Sequence, residues 1–165
     1  FYLRVFQFKG FIYGISKGGN LWRSADGLTD FELGTNLFYP HTKNDYWQNE
    51  AGSIRHVAVD LKSFFLDIYF SRIGDCPERI FRTSIELNKL DWRCWRAGEE
   101  VEIIRPEEDY EGKHIKLHPS TSGAASFPEN ALRDPYLFRY KSSRYLFYTT
   151  SGERGIAVCN LDENI

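Results

Sequence analysis

The chain lacks methionine altogether and has little cysteine: its 165 residues include 3 cysteines and no Cys-x-x-Cys pair. An odd number of cysteines at these spacings argues against a disulfide scaffold, so we expect free, buried thiols. Unpaired cysteines are typical of a reducing compartment, which favours the cytoplasm. Because methionine is absent and the chain starts inside an apolar run, we expect a trimmed N-terminus or a part of a longer protein.

Several other signals are absent. No run of 18 apolar residues occurs, so we expect no membrane-spanning helix. The net charge of −2 argues against a nucleic-acid-binding surface and against a basic membrane-binding surface. The sequence has no Gly-rich phosphate loop and no Gly-x-Ser-x-Gly elbow. His114 and His118 have an i, i+4 spacing but no evident third ligand, so we expect neither a metal nor another cofactor.

Most of the chain consists of short strand-like runs separated by turns. The clearest unit has predicted strands over residues 135–140, 144–149 and 155–159, with turn residues at 141–143 and 151–154. Similar units lie upstream, with strands over 3–8, 11–16 and 21–24, and then over 55–59, 64–71, 79–85 and 90–95. Aromatic residues, 16% of the chain, suit a β-rich core and also a sugar-binding cleft.

The repeat predicts an all-β protein built of similar antiparallel sheets. A small sheet cannot bury both of its faces alone, and radial stacking of such sheets gives a β-propeller with four-stranded blades. We expect a single domain with blades over 1–45, 46–98 and 132–165 and a long loop insertion over 99–131. An ordinary meander or sandwich is the alternative, because its turns also recur every ~8–12 residues.

Polar residues open each predicted inner strand, which is the strand that lines the channel of a propeller. These residues are Tyr2, Arg4, Arg55, His56, Arg133 and Asp134. Their convergence in one concavity predicts a binding site. Structural roles are the alternative: Asp134 can cap a turn before Pro135, Arg133 can pair with it, and His56 can be a hydrogen-bonded core residue.

The motif Arg133-Asp134-Pro135, followed by aromatic strands over 136–138 and 144–148, resembles the five-bladed β-propeller glycoside hydrolases. These include the arabinanase and xylosidase group and the invertase and levansucrase group. The Ser-x-Asp-Gly run before Phe31 and the step Asp91-Trp92 are also similar to their blade pattern. The resemblance covers all three units, although its specific motif is the tripeptide alone. It implies carbohydrate as the partner and five blades when the ring is complete, so we expect a missing half or self-association.

The resemblance also implies roles for individual residues. Asp134 would stabilise the transition state and adjust the pKa of the general acid, for which Glu153 and Glu111 are the candidates. No counterpart of the base or nucleophile Asp is found. Four residues would bind sugar hydroxyls: Arg4, Arg55, His56 and Arg133.

The expected function is therefore hydrolysis of glycosidic bonds by carboxylate general acid and base chemistry. The missing base Asp motivates an alternative, a non-catalytic propeller that binds a carbohydrate or a protein. A further alternative is a fragment that needs a partner chain to close the ring.

Overall fold

The computed structural model describes residues 2–38 and 52–163. It confirms the all-β prediction: three antiparallel sheets of strands adjacent in sequence stand side by side, with short 3-10 turns between strands. The predicted boundary between the first two blades, at 45/46, lies outside the described residues.

The first sheet has four strands in sequence order, β1 (Leu3–Phe8), β2 (Phe11–Ser16), β3 (Asn20–Ser24) and β4 (Glu32–Asn36). Lys9 and Gly10 join β1 to β2 as a two-residue turn, with φ values of 47° and 80°. Positive φ at both central residues gives a turn whose twist matches that of the flanking strands. This local rule explains why the hairpin was predictable from the sequence.

The second sheet contains β5 (Ile54–Lys62), β6 (Phe65–Arg72), β7 (Ile80–Glu86) and β8 (Val101–Ile104), again in sequence order. The predicted strand over 90–95 is wrong, because Trp92–Cys94 forms a 3-10 helix. The Asp91 side chain accepts a hydrogen bond from the Arg93 backbone N–H and caps this turn. The fourth strand, β8, instead lies inside the predicted insertion over 99–131, so the second blade extends further than expected.

The third sheet comprises β9 (Arg133–Tyr140), β10 (Ser143–Thr150) and β11 (Gly155–Asn160), with β10 in the centre. Between β8 and β9 runs a long connection whose regular element is the 3-10 turn Asp109–Glu111. No fourth strand belongs to this sheet among the residues that the structure describes.

Two cores hold the sheets together. The first is rich in aromatic residues and joins the first two sheets, with the Tyr13 ring in contact with the rings of Trp92 and Trp95. The second joins the last two sheets and includes Tyr69, Leu146 and Tyr148. Strand β5 lies against both β1 and β9, so the first strand of each sheet is the innermost strand. The three blades thus bring the starts of β1, β5 and β9 together.

Two expectations from composition have different outcomes. All three cysteines are free, as their number and spacing predicted, but the prediction that they are buried is wrong for Cys76 and Cys94, which are exposed. Both lie outside the strands, Cys76 in a turn and Cys94 at the end of the 3-10 helix. Across residues 2–38 and 52–163, no helix has the length and apolar character needed to cross a membrane.

Candidate functional site at the inner strands

Asp134 and His56 meet where β9 and β5 begin. Asp134 Oδ1 is hydrogen-bonded to His56 Nδ1, and Asp134 Oδ2 accepts a hydrogen bond of 3.2 Å from the Thr149 hydroxyl. The Asp134 backbone has a φ of 52°, and the register of β9 against β10 shifts between Phe147 and Thr149. A bulge of this kind re-aims a side chain, and Asp tolerates the left-handed conformation better than most residues. Local strand irregularity therefore directs this carboxylate towards His56.

The surroundings of Asp134 keep it ionised. Burial raises the pKa of this carboxyl, but the hydrogen bond and charge of His56, the Thr149 hydroxyl and the charge of Arg55 outweigh burial. The net effect is a pKa below the ordinary value of an aspartate. About a quarter of the side chain is exposed (28%), so a ligand can reach this anion.

Tyr2 and Arg4 of the first blade complete the group. The Tyr2 ring stacks on the His56 ring with centroids 4.2 Å apart. Arg4 donates to the Val57 carbonyl over 3.1 Å and to the Tyr2 hydroxyl over 2.6 Å. The structure thus brings together residues at the starts of all three inner strands and Thr149 of β10. We call this group the inner-strand cluster: Tyr2, Arg4, His56, Asp134 and Thr149. Four of these five residues were singled out from the sequence.

Arg55 and Arg133 lie instead in a buried ionic network around Glu78. Arg55 binds Glu78 through two nitrogens, at 2.7 and 3.1 Å, and Arg133 Nε binds the same carboxylate at 2.8 Å. Arg55 also donates to the backbone carbonyls of Thr121 and Gly123. Both guanidiniums are almost fully buried, so these contacts favour a structural role. Sugar binding by Arg55 and Arg133 stays a prediction, and the burial of both side chains argues against it.

The two candidate acids have different environments. Glu153, in the turn between β10 and β11, is partly exposed and accepts a hydrogen bond of 3.1 Å from Arg133. Glu111 is only 2% exposed and accepts hydrogen bonds from the backbone N–H groups of Glu107 and Glu108 and from the Tyr148 hydroxyl. These contacts make Glu111 an anchor of the long connection. Neither carboxylate contacts Asp134.

Sequence reasoning missed Glu78, Thr149 and Tyr136, whose ring centroid lies 5.4 Å from the Arg4 guanidinium. Glu78 falls between the predicted strands over 64–71 and 79–85, and its burial depends on arginines 23 and 55 positions away in the chain. Thr149 follows Tyr148 at the end of a predicted strand, and only the strand pairing shows that it faces the start of β9. Tyr136 lies in the motif region itself, where its alternation with Asp134 on β9 was the available signal.

Comparison with known proteins finds a relative in sequence that matches nearly the whole chain. No family model matches the chain. An uncharacterised protein of Acanthamoeba polyphaga mimivirus is 42% identical over 164 residues. The chain spans about half the length of this relative: the match covers 97% of the chain and 46% of the relative.

Solved structures with a similar fold are arabinanases. An endo-1,5-α-L-arabinanase from Thermotoga petrophila superposes with a TM-score of 0.60 at 16% identity, covering 97% of this chain and 37% of the arabinanase. The native arabinanase of Bacillus subtilis gives a TM-score of 0.52 at 14% identity, covering 96% of this chain and 70% of the enzyme. The resemblance to the five-bladed propeller hydrolases is thereby confirmed at the level of the fold, of which this chain forms part.

Proposed function

We propose that the inner-strand cluster binds a carbohydrate and that Asp134 is the carboxylate that faces the bound sugar, in a propeller that hydrolyses glycosidic bonds. The observation that carries this proposal is the Asp134–His56 pair, which joins the inner strands of two blades and has Tyr2 of a third blade stacked over it. The aromatic ring can pack against the apolar face of a sugar, and the ionised carboxylate next to it can accept a hydrogen bond from a sugar hydroxyl.

Asp134 would stabilise the positive charge of the transition state. A carboxylate that stays ionised can stabilise the positive charge that develops on the sugar ring during glycosidic bond cleavage. His56 and Thr149 hold its two oxygens and so fix its orientation. Glu153 is the candidate general acid because it is the accessible one of the two predicted carboxyls. Arg4 and His56 would orient sugar hydroxyls.

Binding without catalysis is the second candidate function. In the part of the chain that the structure describes, Glu153 and Glu111 are bound to partners other than Asp134. Glycoside hydrolysis needs two carboxyls flanking the bond, about 5–5.5 Å apart for retention or about 6.5–9.5 Å for inversion. The burial of Glu111 and the pairing of Glu153 with Arg133 favour this candidate.

The test is hydrolysis of arabinan, xylan and fructan oligosaccharides by the protein and by Asp134→Asn. Because the structural neighbours are arabinanases, 1,5-linked arabino-oligosaccharides are the first substrates to try. We expect turnover that falls by about 100-fold or more in Asp134→Asn, since a positioned charged group contributes at least this much. Asp30→Asn, an exposed position of positive φ, is the matched control and should keep full activity. Binding without turnover would favour the second candidate, and neither binding nor turnover would count against both.

A further inference from the structure

Arg4 differs from the other arginines of the inner strands in its partners. Arg55 and Arg133 are paired with Glu78, and Arg139 at the far end of β9 is paired with Asp60. Arg4 donates only to neutral groups, the Val57 carbonyl and the Tyr2 hydroxyl. Among residues 2–38 and 52–163, no carboxylate neutralises its guanidinium.

Arg4 is also held in place. Its guanidinium lies over the Tyr2 ring at 5.6 Å from the centroid and over the Tyr136 ring at 5.4 Å. Two aromatic rings and two hydrogen bonds restrict the side chain before any ligand arrives. A pre-oriented guanidinium loses less entropy when it forms a paired hydrogen bond with an anion. The residue is partly exposed, so this donor is open to a ligand.

A chain of contacts leads from this cation to the anionic Asp134. Arg4 touches Tyr2, the Tyr2 ring stacks on His56, and His56 holds Asp134. Both Asp134 oxygens are engaged, by His56 and by Thr149. A ligand carboxylate placed against Arg4 therefore does not have to displace the Asp134 pairing.

We propose that the glycan bound by the inner-strand cluster is anionic, with the carboxylate of a uronic acid residue bound by the Arg4 guanidinium. This rests on the proposed carbohydrate-binding function and narrows its substrate class. A carboxylate matches the planar fork of a guanidinium, and such charge-assisted pairs are about twice as strong as neutral hydrogen bonds. Neutral sugar hydroxyls would leave the Arg4 charge without compensation. Tyr2 and Tyr136 would flank the acidic sugar.

The experiment compares two oligosaccharides of equal length, an oligogalacturonate and a neutral arabino-oligosaccharide, by isothermal titration calorimetry with the protein. We expect the uronate to bind about 10-fold or more tightly than the neutral sugar at low salt, because only the acid forms a charge-assisted pair with Arg4. The preference should shrink as salt is raised, since the Arg4 site is partly open to solvent. Monomeric galacturonate separates recognition of the acid alone from recognition of the chain, and it should bind more weakly than the oligomer.

Two variants assign the preference to Arg4. Arg4→Gln should abolish the preference for the uronate, because it weakens uronate binding about 10-fold more than binding of the neutral sugar, whereas Arg4→Lys should retain part of the preference because a point charge lacks the fork. Arg23→Gln is the matched control: Arg23 also lies over two rings, Phe11 and Trp92, each at 4.7 Å, but it is ion-paired with Glu32. It should keep the full preference.

The outcomes separate this proposal from the function on which it rests. If the neutral sugar binds as tightly as the uronate or more tightly, and Arg4→Gln does not change their relative affinities, the proposal of an anionic glycan is overturned and carbohydrate binding stands. A uronate preference that survives Arg4→Gln would overturn the assignment to Arg4. Binding of neither oligosaccharide would overturn both the substrate class and the carbohydrate-binding function.

Discussion

At the scale of single residues, the pairing of Asp134 should make stability depend on pH. Burial raises the pKa of Asp134, but His56 and Thr149 hold it below its ordinary value of about 3.9 in the folded state. A lowered folded-state pKa contributes stability above pH ~4, and that contribution is lost as pH falls through the folded-state pKa. We therefore expect Asp134→Asn to lose less stability than the native protein between pH 5 and pH ~2. Denaturant unfolding across this range checks it, and equal acid sensitivity of the two proteins would contradict the pairing.

The same residue shows what the sequence can and cannot reveal. The proline after Asp134 and the aromatic strand that follows placed it at the start of an inner strand, so its position was predictable. The sequence predicted that Asp134 and His56, 78 positions apart, lie near each other at the starts of inner strands, but it did not predict the hydrogen bond between them. The burial of Arg55 and Arg133 was not predictable, because it depends on Glu78, which no periodic pattern singles out. Long-range charge pairing leaves no local signature in a single sequence.

At the scale of elements, the hydrogen bond between Tyr148 and Glu111 fastens the long connection to β10. Burial raises the pKa of the Tyr148 hydroxyl, and its bond to Glu111, 2.8 Å long, raises it further. Tyr148→Phe should cost about 1–3 kcal/mol, because it leaves a buried carboxylate without one of its donors. Chemical denaturation measures this cost. Hydrogen exchange at the backbone amides of Glu107 and Glu108, which Glu111 also binds, should show a local loss of protection.

Tyr145 provides the matched control for this prediction on the same strand. Its ring is only partly buried, and its hydroxyl has no partner among the described residues. Tyr145→Phe should change stability by no more than about 0.5 kcal/mol. Equal effects of the two substitutions would show that the Tyr148–Glu111 bond does not fasten the connection.

The hairpins within each blade could be predicted from the sequence, but the segments that connect one blade to the next could not. Turn residues with positive φ, such as Lys9 and Gly10, mark where antiparallel strands reverse, so most strand positions followed from local rules. The strand expected over 90–95 failed because Trp92 enters the core between blades. Its ring lies against Gly34, where an added Cβ would come within 2.1 Å of it. Packing between elements distant in sequence therefore overrides local strand propensity here.

At the scale of the whole molecule, the outer face of the third sheet is apolar and exposed. Tyr136 and Phe138 of β9 pair with Phe147 and Tyr145 of β10, and Val158 of β11 pairs with Phe147. Tyr136, Phe138 and Val158 are exposed, whereas the opposite face of the sheet is packed in the second core. A blade normally packs on both faces. The exposed apolar face is therefore consistent with a further sheet that packs on it, either from a missing half of the protein or from a second copy. Such a partner sheet stays a prediction.

The Glu78 network should be a main determinant of how the second and third blades dock. Glu78 has no exposed surface and joins Arg55 of β5, Arg133 of β9 and the Ser71 hydroxyl of β6. Burial lowers the pKa of Arg133, but the charges of Glu78 and Glu129 outweigh burial and raise it, so the cation persists inside. Glu78→Gln removes the shared anion and leaves two buried guanidiniums under-compensated. We expect a loss of about 3–5 kcal/mol in the free energy of unfolding.

Urea or guanidinium unfolding of Glu78→Gln checks this value, and Glu102→Gln is the control. Glu102 also binds two arginines, Arg79 and Arg105, but on the surface, where solvent screens the charges. Its substitution should change stability by no more than about 1 kcal/mol. If the two substitutions cost the same, the buried network contributes no more than a surface ion pair. The apolar core between β5, β6 and β9 would then account for blade docking without it, since that core is unchanged in both variants.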